Sequence, residues 1–202
     1  IVSEAFVNGY YYKPRVDKDI LRKYSQGLIA SSACLGGEVQ KKLMYGDYDG
    51  AKKAALEYRE IFGENNFFLE LQDHGILEQK KVNKELEILS KETGLDLIAT
   101  NDVHYINKED AKAHDVLLCI QTGTIVNDPS RMKFQTDEFY LKSPAEMLEI
   151  FPNNKDALEN TQKIAERCKV EIKFHQPHLP YYTKLPEGLT NLDYLKLLVN
   201  KG

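Results

Sequence analysis

Long apolar runs are missing from this 202-residue chain, and no stretch approaches the roughly 20 residues that a bilayer-spanning helix needs. The N-terminus also lacks the basic, apolar and small-residue order of a secretory signal. A cytoplasmic location with no membrane partner is the expectation. Cysteine is scarce. Cys34, Cys119 and Cys168 are an odd number with no CxxC spacing, which excludes a disulfide framework and a closed four-cysteine zinc knuckle. There is no excess of positive charge either: 27 Lys and Arg are interleaved with 31 Asp and Glu for a net charge of −4. Such a surface has little general attraction for a phosphate backbone, so if the chain works on nucleic acid something else must hold it there. A G-x-G-x-x-G turn, a Walker-type loop and a G-x-S-x-G elbow are all lacking, which removes the dinucleotide-binding, P-loop and serine-hydrolase classes. Neither an internal repeat nor a low-complexity tract is present. Ile1 stands where an initiating Met would, and Val2, Ala5 and Phe6 fall directly into helical spacing, as expected of a segment cut from a longer protein.

What is present is a soluble-protein pattern, with 42% hydrophobic residues, enough for a core. Short apolar runs at residues 27–32, 67–71 and 96–100 read as buried strands. A helical pattern capped by Asp17 precedes the first run; after it come a short helix following Gly36 and Gly37 and one from about Asp49 to Phe62 stopped by Gly63, and a helix over 77–93 ended by Gly94 lies between the second and third runs. A helix follows over 110–121, then a loop rich in turn residues. Phe139-Tyr140-Leu141 reads as a short strand. Ser143-Pro144-Ala145-Glu146 opens a capped helix, another helix spans 157–168, and Val170-Glu171-Ile172 follows it. The composition then shifts to His, Pro, Tyr and Gly over 174–188, which places a boundary near Phe174 and divides the chain into 1–173 and 174–202. Alternation at this spacing implies βαβ units and a parallel α/β sheet, whose chemistry sits where strands end.

Those ends supply Cys34, then Asp73 with His74, then Asp102 and His104. On an extended backbone, Asp102 and His104 at i and i+2 project to one side, a spacing suited to chelating a metal, with Cys34 as a third donor. Carboxylate, imidazole and thiolate suit zinc or a similar borderline ion better than magnesium. The bland alternatives stand beside this one. A D-x-H tripeptide is a weak signal, a lone cysteine is commonly a small buried hydrophobe, and His74 can cap the next helix. His114 and Cys119 in a helical pattern, and His175 and His178 in a Pro-rich stretch, read as packing or surface residues. Cys168 ends a helix with no evident partner.

Several segments, in order, resemble alpha subunits of bacterial DNA polymerase III: GYYYKPRVD at 9–17, GLIASSACLGGE at 27–38, FLELQDHG at 68–75, ATNDVHY at 99–105, HDVLLCIQTG at 114–123, FYLKS at 139–143 and PHLP at 177–180. The resemblance implies that 1–173 is the C-terminal part of a PHP domain, a distorted seven-stranded α/β barrel with a metal cluster at its strand ends. It implies that 174–202 leads into the polymerase palm. Cys34 then occupies one ligand motif of the cluster, and Asp102 with His104 the D-x-H motif. The opening H-x-H motif and the polymerase aspartates are not in this sequence. By the same resemblance the cofactors are zinc or manganese here and magnesium at a polymerase site elsewhere. The partners are the rest of the polymerase chain, primer-template DNA and other replicase subunits, including the sliding clamp. The implied activity is DNA-directed DNA synthesis by the longer protein, with metal-dependent 3′→5′ exonuclease proofreading in members that keep the full cage. A bracing module without its own catalysis and a stand-alone phosphatase are the rival readings.

Overall fold

The computed structural model describes residues 1–177 and 179–202; His178 lies outside the described residues. The chain separates into two compact units, Ile1–Cys168 and Lys169–Gly202.

The first unit opens with a short helix, α1 (Val2–Val7), and an antiparallel ribbon of β1 (Tyr10–Tyr11) and β2 (Lys13–Pro14). Helix α2 (Lys18–Tyr24) starts where Asp17 caps it, its carboxylate accepting the Ile20 N–H at 2.9 Å. Next come β3 (Ala30–Ser31), α3 (Glu38–Met44), α4 (Tyr48–Phe62), β4 (Phe67–Leu71), α5 (Leu77–Thr93) and β5 (Leu97–Ala99). The three strands form a parallel sheet in the order β3-β4-β5, with Ala30 opposite Phe67 and Leu69 opposite Leu97. Gly94, left-handed at φ 70°, ends α5 by donating its N–H to the Ser90 carbonyl, a conformation that costs glycine nothing.

Side-chain alternation gives the sheet two unlike faces. Phe67, Leu69 and Leu71 of β4 join Ala51, Ala54 and Ala55 of α4 and Val82, Leu86 and Leu89 of α5 in one buried cluster with Val39 and Leu43 of α3. The alanine stripe lets α4 lie close to its neighbours. On the opposite face stand Ser31, Phe68, Glu70, Ile98 and Thr100, so that face sets polar groups beside buried Phe68 and Ile98.

Beyond β5, a 3-10 turn at Lys108–Asp110 leads into α6 (Ala111–Thr122), followed by a long irregular segment, α7 (Pro144–Ile150) and α8 (Lys155–Arg167). Helix α8 is fastened to the sheet edge where Asn160 Nδ2 donates to the Leu97 carbonyl at 2.9 Å. The second unit carries α9 (Asn191–Lys201), capped by Thr190, and a stacked pair, Tyr182 and Tyr194, with centroids 5.7 Å apart.

The α/β class and parallel pairing agree with the sequence, and the parallel sheet of the described residues has three strands. Two elements differ. The strand expected over 27–32 shrinks to Ala30–Ser31, because Gly27 is left-handed at φ 76° and Leu28 turns out to solvent, 41% exposed. Phe139-Tyr140-Leu141 makes only an isolated parallel bridge, Tyr140 to Tyr105, since the Phe139 N–H is taken by the Tyr105 hydroxyl. Helix α9 has no counterpart among the expected elements.

Truncating Leu69, fully buried at the centre of β4, to Ala is expected to cost about 2–5 kcal/mol, read as a lower midpoint in urea unfolding. A second expectation concerns α7. Glu146 accepts from the Ser143 N–H and hydroxyl, both at 2.7 Å, and from the Tyr140 hydroxyl at 2.8 Å, and the Ser143 bonds foremost bring its carboxyl from 4.5 down to about 2. A carboxyl depressed by folding stabilises the fold above its unfolded value and loses that contribution as pH falls through the folded one. Glu146→Gln should therefore flatten the fall in stability between pH 4.5 and about 2, measured as denaturant midpoints across that window.

Candidate metal centre

Because β3, β4 and β5 are parallel, their C-terminal ends lie along one edge of the sheet. Chain leaving β3 is held by Ser32, whose N–H donates to the Phe68 carbonyl and whose hydroxyl accepts the Glu70 N–H, both at 2.9 Å. Ala33 then takes φ 65°, and Cys34 closes a turn by accepting the Gly37 N–H at 2.8 Å. The Cys34 thiol is exposed. It borders a small cleft shared with Gln40, Glu70 and Gln72.

On β4 the Glu70 carboxylate accepts hydrogen bonds from Ser31 of β3, from Thr100 just past β5 and from Gln72 Nε2 at 2.9 Å. One side chain thus ties all three strand ends together. Gln40 and Gln72 are 2% and 6% exposed. Their amide nitrogens are bonded into this network, whereas both Oε1 atoms have no hydrogen-bond partner among the described residues.

Past β5 the backbone kinks. Asp102 sits at φ 44° rather than continuing extended, so the expected same-side projection of i and i+2 fails as a geometric reason. The two side chains meet nonetheless: Asp102 Oδ1 is 3.5 Å from His104 Nε2, and both are about one-third exposed. The left-handed turn folds the carboxylate back toward the ring. His104 N–H donates to the Phe139 carbonyl at 2.8 Å, and its ring is walled by Phe134 at 4.7 Å and His114 at 5.6 Å between centroids. Burial foremost, and then neighbouring His104, lower the pKa of His114.

His74 is a different case. At 1% exposure it donates from Nε2 to the Asn101 carbonyl and accepts at Nδ1 from Gln79 Nε2, both at 2.8 Å, and it stacks on Phe139. Both ring nitrogens are spent, so it fastens β4 to the Asp102 turn instead of offering a donor. Cys119 is buried in α6, and Cys168 is exposed at the end of α8. His175 lies exposed in the second unit.

The structure therefore joins Asp102 to His104 and sets Cys34 on the same sheet edge in a separate small cleft. Among the described residues no three His, Cys, Asp or Glu side chains converge tightly enough to hold a metal ion. The donor chemistry suits a borderline divalent ion, and the edge is rich in acceptors, including the two buried amide oxygens. Glu70 and His74 were not singled out as organisers from the sequence. The signal for Glu70 was a carboxylate inside the otherwise apolar run FFLEL, which a buried strand does not carry without partners.

Left-handed backbone at Ala33 and Asp102, one residue before Cys34 and at a candidate ligand itself, places strain at both turns. An alanine there costs about 1–2 kcal/mol, of which glycine returns part through its freer unfolded chain. Ala33→Gly is expected to leave a net gain of roughly 0.5–1 kcal/mol in urea unfolding; a loss of stability would contradict the strain.

The model of the PHP domain matches residues 1–74. Among curated proteins, DNA polymerase III subunit alpha of Borreliella burgdorferi is 45% identical over 100% of the chain and 18% of the relative's length. That of Thermus aquaticus is 43% identical over 100% of the chain and 17% of its own length. That of Helicobacter pylori is 48% identical over 84% of the chain and 15% of its length. The chain spans less than a fifth of the length of these curated relatives. Similarity to bacterial DNA polymerase III alpha subunits is thus sustained from end to end of the chain, with PHP-domain sequence over residues 1–74.

Proposed function

We propose that the protein contributes a divalent-metal phosphoester site to a replicative DNA polymerase, with Cys34, Asp102 and His104 as metal ligands. What carries the reading is the Asp102–His104 pair, 3.5 Å apart just past a parallel strand, in a chain whose relatives are polymerase alpha subunits. On this reading the three strands are part of a distorted seven-stranded barrel completed, with its first metal motifs, from outside residues 1–202. Residues 1–173 belong to the PHP domain and 174–202 lead toward the palm. Zinc or manganese suits thiolate, imidazole and carboxylate donors, and magnesium serves the polymerase site in another part of the longer protein. The partners are the remainder of that protein, primer-template DNA and the other replicase subunits, including the sliding clamp.

A bound metal would lower the pKa of its water and orient a phosphate, the chemistry of 3′→5′ exonucleolytic proofreading. Cys34, Asp102 and His104 hold the ion and move no proton themselves. Metal analysis of the longer polymerase tests the assignment. Asp102→Ala with His104→Ala should lower metal affinity by at least about tenfold, and Cys34→Ala should lower it as well. Unchanged metal content across a chelator titration would end the reading. Residues 1–202 alone, given primed DNA, nucleotides and zinc or manganese, should neither extend nor shorten the primer. Shortening that vanishes in Asp102→Ala would mean that the site is complete within this chain.

A further inference from the structure

Beside the Asp102–His104 pair, a cleft of about 230 Å³ opens between α6 and the irregular segment over 131–137. Its lining includes three rings, Tyr105, His114 and Phe134, with His114 5.3 Å from Tyr105 and 4.9 Å from Phe134 between centroids. Phe134 is shared, since it also packs on His104. The same ring therefore faces both the candidate metal ligand and the cleft.

The charges around this cleft are unevenly spent. Asp115 is held by a bidentate pair with Arg131, Nη1 to Oδ1 at 2.5 Å and Nη2 to Oδ2 at 2.7 Å. Asp137 lies 3.7 Å from Lys108. Lys112 and Lys133 line the cleft, are exposed, and form no salt bridge among the described residues. The unspent charge is positive, in a chain whose net charge is −4.

The walls are also fixed in place. Arg131 Nε donates to the Val126 carbonyl at 2.9 Å, and the Thr136 hydroxyl donates to the His74 carbonyl at 2.8 Å. A long loop fastened this way ties up few ordering costs when a ligand arrives. A cavity of this size, below the range for drug-sized ligands, accepts one planar ring with one anionic group rather than a duplex.

We propose that this cleft binds the terminal nucleotide of a single strand, its base against Phe134 and His114 and its phosphate at Lys112 and Lys133. Stacking on aromatic side chains tolerates any base, and lysine provides a point charge for phosphate. The proposal rests on reading the Asp102–His104 pair as part of a phosphoester site, because the shared Phe134 is what joins the two.

The test titrates the 202-residue chain with deoxyadenosine monophosphate, deoxyadenosine and inorganic phosphate in EDTA, following ring resonances by NMR. The monophosphate should bind at least about tenfold more tightly than either part alone, with shifts at Phe134 and His114. Phe134→Leu should weaken it by about tenfold, in keeping with the loss of one base–aromatic stack. Lys112→Gln with Lys133→Gln should remove the advantage of the monophosphate over the nucleoside, and circular dichroism should show both variants folded. Equal binding of inorganic phosphate and monophosphate, wild-type affinity in the double lysine variant, or no binding at all would overturn the proposal. With metal chelated, these results do not depend on Cys34, Asp102 and His104. Nucleotide binding with no metal binding would sink the metal assignment alone, and the reverse would sink the cleft alone.

Discussion

The Glu70 carboxylate is the contact on which the arrangement of the strand ends depends. β4 is the central strand, and from it Glu70 reaches Ser31 on one side and Thr100 on the other, while Gln72 approaches from just past the end of β4. Charge-assisted hydrogen bonds of this kind are worth more than neutral ones, and a partly buried carboxylate without them would carry a desolvation penalty. The turns carrying Cys34 and Asp102 begin within three residues of those bonded side chains. Backbone pairing fixes only a short stretch of β3, two residues long, so side-chain bonding does much of what a longer ladder would do.

The other constraint is His74, which acts from inside. A buried imidazole with both nitrogens engaged behaves as a fastener with two directions, toward Gln79 at the start of α5 and toward Asn101 before the strained Asp102. Its carbonyl also receives the Thr136 hydroxyl. The loop that places Phe134 against His104 is therefore tied to the same residue that positions the turn below. Strain at Asp102 persists because its surroundings over-determine it.

Most helices and the central strand were legible in the sequence: FFLEL is a short apolar run closed by turn residues, and the alanines of α4 recur at helical spacing. Stop signals at Gly63 and Gly94 were equally local. Pairing of Asp102 with His104 was legible as a spacing, although a left-handed turn rather than an extended strand brings it about. What could not be read depends on distant partners. His74 looks like any cap until Gln79 and Asn101 are placed around it, and Phe134 sits in a segment of turn residues with no period to reveal that it packs on His104 and His114. The short β3 was overread because an apolar run records burial and not the length of its pairing.

Two neighbouring regions of opposite polarity emerge from these contacts. The sheet edge gathers oxygen acceptors, the carboxylates of Glu70 and Asp102 and the buried amide oxygens of Gln40 and Gln72. The cleft beyond Phe134 has its carboxylates already paired and lysines unpaired. A phosphoester held by a cation needs both kinds of surroundings at once: acceptors around the cation, and positive charge with an apolar face for the nucleotide. Neither side would serve alone. The acceptor edge repels a phosphate unless a cation lies between them, and two exposed lysines in water hold a phosphate weakly. Phe134, which packs on His104 and also lines the cleft, is the ring that the two regions share.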